Sequence, residues 1–117
     1  MRTLLFISLI TIAASCSQSK KSTDNNPQFY GEFLYLADAA VLNTGTEIYG
    51  VIINEKMHEL DDLCTPIKRD EYDMIPVYIK GIIENKEPSE EGWEKRIRIT
   101  SIDSLVNPTD NTILKPN

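Results

Sequence analysis

Phe29–Leu42, FYGEFLYLADAAVL, is the stretch on which the fold turns. Phe29, Gly31, Phe33 and Tyr35 fall on one side of an extended chain, and Tyr30, Glu32, Leu34 and Leu36 on the other. Both sides are largely apolar, the pattern of a strand that curves around a core instead of lying in a flat, one-sided sheet. Gly31 marks a bend or bulge. A segment this long and this apolar bends into two consecutive strands.

Outward from it, the period alternates. Asn43-Thr44-Gly45 is a turn signal, and Glu47–Ile53 (EIYGVII) is a second β-rich run. Then Met57, Leu60, Leu63, Cys64 and Ile67 recur at three- and four-residue steps behind Asn54, a candidate N-cap. Pro66 stops that helix. Met74–Glu84 and Glu94–Leu105 alternate again as strands, with a polar loop at Asn85–Gly92 between them. In the second of these, Ile97, Ile99 and Ser101 oppose Arg96, Arg98 and Thr100. The expected fold is mainly β: a small five-stranded OB-type barrel with one helix between the third and fourth strands. A split α+β sandwich fits the same pattern. Residues 28–107 form the domain, and 108–117 a polar tail whose only large apolar residues are Ile113 and Leu114.

Upstream, Arg2 precedes an uncharged apolar run, Leu4–Ile12, and the small residues Ala13-Ala14-Ser15 lead to Cys16. Charge, short apolar run and small residues make a secretory signal. The run is well under the ~20 residues of a bilayer-spanning helix. A Cys directly after the small residues resembles the lipobox of bacterial lipoproteins, with Ala13 where that pattern prefers Leu. The resemblance implies that residues 1–15 are removed and that Cys16 carries lipid, each buried CH₂ contributing about 0.8 kcal/mol to anchoring. An ordinary secreted protein with an unmodified Cys16 is the alternative. Residues 16–27 then form the lipidated Cys and a tether, since Ser17–Pro27 holds no large apolar residue. Ser17 and the absence of an acidic run after Cys16 favour an outer-membrane anchor facing the periplasm.

The 117 residues hold one domain, and the formal net charge of -6 disfavours nucleic acid as a partner. A single His leaves little for acid–base or multi-His metal chemistry, and no nucleophile–base or paired-carboxylate motif is present. The reading is therefore of a protein that is not an enzyme and carries no cofactor or metal.

Tyr35-x-Ala37-Asp38-Ala39-Ala40 resembles the Y-x-A-D-A-A signature of the C-terminal OB domain of the NlpE family of bacterial envelope lipoproteins. Thr44-Gly45-x-x-Ile48-Tyr49-Gly50-Val51, Leu60-Asp61-x-x-Cys64, Val77-x-Ile79-x-Gly81-x-Ile83 and Ile97-x-Ile99 follow in the family's order. The resemblance covers residues 29–106 and implies an OB domain that works by contact in envelope stress or adhesion sensing, with an envelope protein as partner. The family's C-x-x-C domain has no counterpart here, and a lipidated Cys16 leaves Cys64 without a disulfide partner, so copper and redox roles do not carry over.

Each singled-out residue has a plain structural reading beside its functional one. Asp38 is a partner contact, or a turn residue bonding backbone N–H groups. Met57, His58 and Cys64 share a helix, but core packing of Cys64 and a solvated His58 are favoured over a soft-metal site. Trp93 is a binding aromatic or a lid. Arg96 and Arg98, with Trp93, are the candidate interaction surface, or else a solvated face paired with acidic neighbours. A small-ligand carrier (metal, oligosaccharide or lipid) on the barrel face is the alternative function; it requires a concave site with converging polar groups. Mass spectrometry of membrane-extracted protein should find an acylated Cys16 as the N-terminus; a soluble, unmodified chain would remove the anchor.

Overall fold

The computed structural model describes residues 24–116. Cys16, the signal at 1–15 and most of the tether lie outside the described residues. The strands are β1 (Gln28–Leu36), β2 (Ala39–Asn43), β3 (Ile48–Val51), β4 (Ile75–Asn85), β5 (Lys95–Val106) and β6 (Ile113–Leu114). Helix α1 (Glu55–Cys64) and a 3-10 turn at Thr65–Ile67 stand between β3 and β4. The long first segment does break in two, at Ala37-Asp38, and β1 pairs back on β2 from Leu36↔Ala39 to Glu32↔Asn43.

Hydrogen bonding runs β3-β2-β1-β4-β5. A parallel pairing of β3 with β5, Gly50↔Arg96 and Val51↔Ile97, closes the ring, and the Ile52 N–H donates to the Ile97 carbonyl at 2.9 Å. The other pairings are antiparallel, so this is a closed, mixed, five-stranded barrel of OB type with its helix in the expected place. Closure leaves no long free edge around the core.

Phe33, Leu42, Ile75, Val77, Ile79, Ile97, Ile99 and Leu105 fill the barrel, each almost wholly buried. Helix α1 adds Met57, Leu60 and Cys64 to the same cluster, at the three- and four-residue steps of its apolar stripe. Asn54 caps it: its Oδ1 accepts the Met57 N–H at 2.8 Å. The α-helix ends at Cys64, and Pro66 is accommodated in the 3-10 turn, whose first positions need no N–H from proline.

Strand β5 departs from simple alternation. Gly81 lies opposite Ile99, but Lys80 lies opposite Ser101, so Thr100 is the extra residue of a bulge. A second shift, at Tyr78/Ile79, brings Ile102 opposite Ile79 and Ser104 opposite Tyr78. The core-facing series is therefore Ile97, Ile99, Ile102, Leu105, and Ser101 does not continue it. Two extra residues advance the phase twice, which a period-two reading misses.

The bulged Thr100 has a partner in the N-terminal segment. Its hydroxyl donates to Asp24 Oδ2 at 2.5 Å and accepts from Asn26 Nδ2 at 3.2 Å, while the Gly81 N–H reaches the Pro27 carbonyl at 3.1 Å. The Thr100 hydroxyl foremost, and then the Asn26 backbone N–H at 2.9 Å, hold the Asp24 carboxyl at a pKa of about 2. Residues 24–27 thus belong to the barrel surface instead of the tether. At the other end, β6 pairs with Leu105 and Val106, so the tail adds a short sixth strand, although Ile113 and Leu114 remain exposed.

The Cys64 thiol lies in apolar surroundings, 2% exposed, and burial pushes its pKa up to about 12. Thiolate is the reactive form, so native Cys64 should react with a disulfide reagent far more slowly than unfolded chain. Cys64→Ser should cost on the order of 1 kcal/mol or more in denaturant unfolding, because a hydroxyl replaces sulfur in the core. Labelling at the unfolded rate would show that the helix does not stay docked.

Candidate functional site: a groove between the first hairpin turn and the β4–β5 loop

An open groove of about 340 Å³ runs across the ends of β2 and β3. Asp38, Ala39 and Ala40 line one side, Gly50 to Ile53 its middle, and Glu91, Gly92, Trp93 and Arg96 the other. The hairpin turn and the β4–β5 loop, distant in sequence, meet here because β2–β3 pairing and β3–β5 closure set their strands side by side. This is the face and the pair of loops with which OB barrels hold their ligands.

The turn that presents Asp38 is tight. Ala37 has φ 55°, a left-handed conformation at the first of two turn residues, where Gly is usual. The Asp38 carboxylate is exposed and makes no hydrogen bond with a described residue, so it is not a backbone-bonding turn residue. Ala39 is exposed and Ala40 buried, as alternation on β2 requires. Tyr35 is not in the groove: it is half-buried, with its ring edge-on to His58 at 5.5 Å. His58 is thus on the outer side of α1, while Met57 and Cys64 face the core, and the three do not converge. Among the described residues no cluster of His, Cys, Asp or Glu is arranged as a metal-ligand set.

Trp93 covers the end of β3 and is also half-exposed. Its Cβ and Cδ1 lie over Gly50, where an added Cβ would come within 3.1–3.2 Å of them, yet the residue is 46% exposed. A Cβ at position 50 would crowd Trp93 and the Arg96 Cγ by a few tenths of an ångström, so Gly50 lets the loop lie this close over β3. Ile53, also 46% exposed, extends the apolar floor.

Arg96 and Arg98 share a face of β5 but not a role. Arg98 is held by Glu84 through two bonds, Nε to Oε1 at 3.0 Å and Nη2 to Oε2 at 3.2 Å, and stands outside the groove. Among the described residues Arg96 donates only through Nη2, to Glu90 Oε2 at 2.7 Å, and its buried Nε–H has no partner. The paired surface expected from sequence is present, since Lys95 also meets Glu47 at 3.1 Å, but one fork in it is half-satisfied. The Arg96 hydrogen bond holds the Glu90 carboxyl below the usual carboxylate range, and Arg98 does the same for Glu84. The specific partner of each Arg was not readable from sequence; only the geometry of the β4–β5 hairpin assigns it.

Comparison with protein families, curated proteins and solved structures found no match to this chain. The class defined by fold and site is therefore that of a small closed OB-type barrel with an open, mixed apolar and charged groove. Ala37→Val should lower stability by about 1 kcal/mol or more, because a β-branched side chain resists the left-handed region; chemical denaturation measures it. An unchanged midpoint would mean the turn relaxes without cost.

Proposed function

We propose that this chain is a membrane-anchored bacterial envelope lipoprotein whose barrel is a non-catalytic protein-interaction module in envelope stress or adhesion sensing. The lipid on Cys16 and the outer-membrane, periplasm-facing location belong to this reading through the N-terminal sequence, and the sensing role through the NlpE-like motifs. The observation that carries the interaction reading is the groove, where a half-exposed Trp93 lies beside an incompletely bonded Arg96 and an Asp38 carboxylate without a partner among the described residues. Aromatic and Arg side chains are the residues on which interfaces concentrate binding energy.

The partner's chemistry follows from the guanidinium. Exposed ion pairs such as Arg96–Glu90 contribute about 0–1 kcal/mol, so an incoming carboxylate displaces Glu90 at low cost. Nε is buried in the free protein, so a carboxylate that engages Nε and Nη2 together needs the Arg96 side chain to turn outward as Glu90 leaves, and it then makes the two-pronged contact that Glu90 does not. The partner segment therefore carries an acidic residue next to an apolar one that rests on Trp93 and Ile53. The groove is open and shallow, which suits a protein surface better than an enclosed small molecule.

A photo-crosslinker at position 93 in the membrane-bound protein tests this. It should form one discrete adduct, which Arg96→Ala abolishes and Arg98→Ala leaves intact, with circular dichroism unchanged in both variants. Equal loss with Arg98→Ala would move the surface elsewhere. Turnover of any substrate by the purified protein would overturn the non-catalytic reading.

A further inference from the structure

At the other end of β2 lies a second hollow, of about 260 Å³, formed by Tyr30, Gly31 and Glu32 of β1 and by Asn43, Thr44 and Gly45 where β2 turns into β3. Gly31 creates it. A Cβ there would lie 2.7 Å from the Asn43 carbonyl oxygen, so only Gly lets the turn settle onto the strand.

Three groups with complementary chemistry border this hollow. Tyr30 and Glu32, two residues apart on β1, project from the same outer face about 7 Å apart. Tyr30 is braced by Tyr78 across the strands, with ring centroids 4.6 Å apart, and still stays 50% exposed. The exposed Glu32 carboxylate has no partner among the described residues. Asn43 is fixed by its own turn: its Oδ1 accepts the Gly45 N–H at 2.9 Å, which leaves the NH₂ without a partner among the described residues.

A braced aromatic face, a pure acceptor and a fixed donor together select among ligand classes. A wholly apolar ligand would desolvate Glu32 and Asn43 with nothing in return. An anion would meet the Glu32 charge, and a divalent cation would find one carboxylate where it needs several oxygens. A neutral pyranose fits each group: its C–H face lies on Tyr30, while neighbouring hydroxyls donate to Glu32 and accept from Asn43. We propose that the Tyr30–Glu32–Asn43 hollow is a binding site for neutral pyranose units of a glycan, separate from the Trp93 groove and independent of the function assigned to it.

Titration calorimetry of the full chain with a soluble β-1,4-linked N-acetylglucosamine tetrasaccharide, and with its glucose counterpart, tests the site. Saturable binding of at least one is expected, with none for an anionic polyuronate of similar length. Loss of the aromatic face in Tyr30→Ala should weaken binding about fivefold to tenfold. Tyr30→Phe should retain it, Glu32→Ala should weaken it, and Trp93→Ala should leave it unchanged. Absence of saturable binding to both neutral sugars, affinity undiminished in Tyr30→Ala, or loss in Trp93→Ala instead would each overturn the assignment.

Discussion

The structure depends on a seam two residues long. Gly50↔Arg96 and Val51↔Ile97 are the only ladder pairs between β3 and β5, and without them the sheet is an open ribbon. With them, apolar side chains from every barrel strand and from α1 meet in one volume. The seam is parallel, so its two strands cannot be joined by a tight turn, and the intervening chain supplies α1 and β4. Closure also brings the β4–β5 loop over β3. Trp93 settles on Gly50 at the seam itself, so the groove and the closing contact are one piece of structure.

This arrangement gives the groove a thermodynamic link to the fold. A partner that touches Ile52 and Ile53 on one side and Trp93 and Arg96 on the other spans the seam, and it binds only the closed barrel. Whatever occupies the groove therefore stabilises closure by mass action. The short seam, with few hydrogen bonds of its own, is a natural place for local opening.

Much of this was legible in the sequence, for physical reasons. Period-two alternation in Ile75–Gly81, the Asn43-Thr44-Gly45 turn and the Asn54 cap ahead of the Met57–Leu60–Cys64 stripe are local signals, and the structure uses each as read. What was not legible depends on contacts far apart in the chain. The bulge at Thr100 leaves no compositional mark; it exists because β4 and β5 must coil around the same core, and Thr100 finds its partner in Asp24. The tail strand rests on backbone pairing that two exposed apolar residues do not advertise. Arg96 and Arg98 read as equivalent. Glu84, across the ladder from Arg96, bonds Arg98 instead, while Arg96 reaches out to Glu90 in the loop.

The clip of Asp24 and Asn26 onto Thr100 also gives the barrel a mechanical character. The N-terminal segment enters β1 through residues already fastened to β4 and β5, and β1 is paired along its length, with β4 over Gln28–Phe33 and with β2 over Glu32–Leu36. A pull on that segment acts along β1, across ladder bonds that lie perpendicular to it. Those bonds share the load together in shear instead of parting one at a time. A tug at the N-terminus is thus carried into the barrel as a whole, and it reaches the turn at Ala37-Asp38, the rim of the groove, at the far end of the loaded strand.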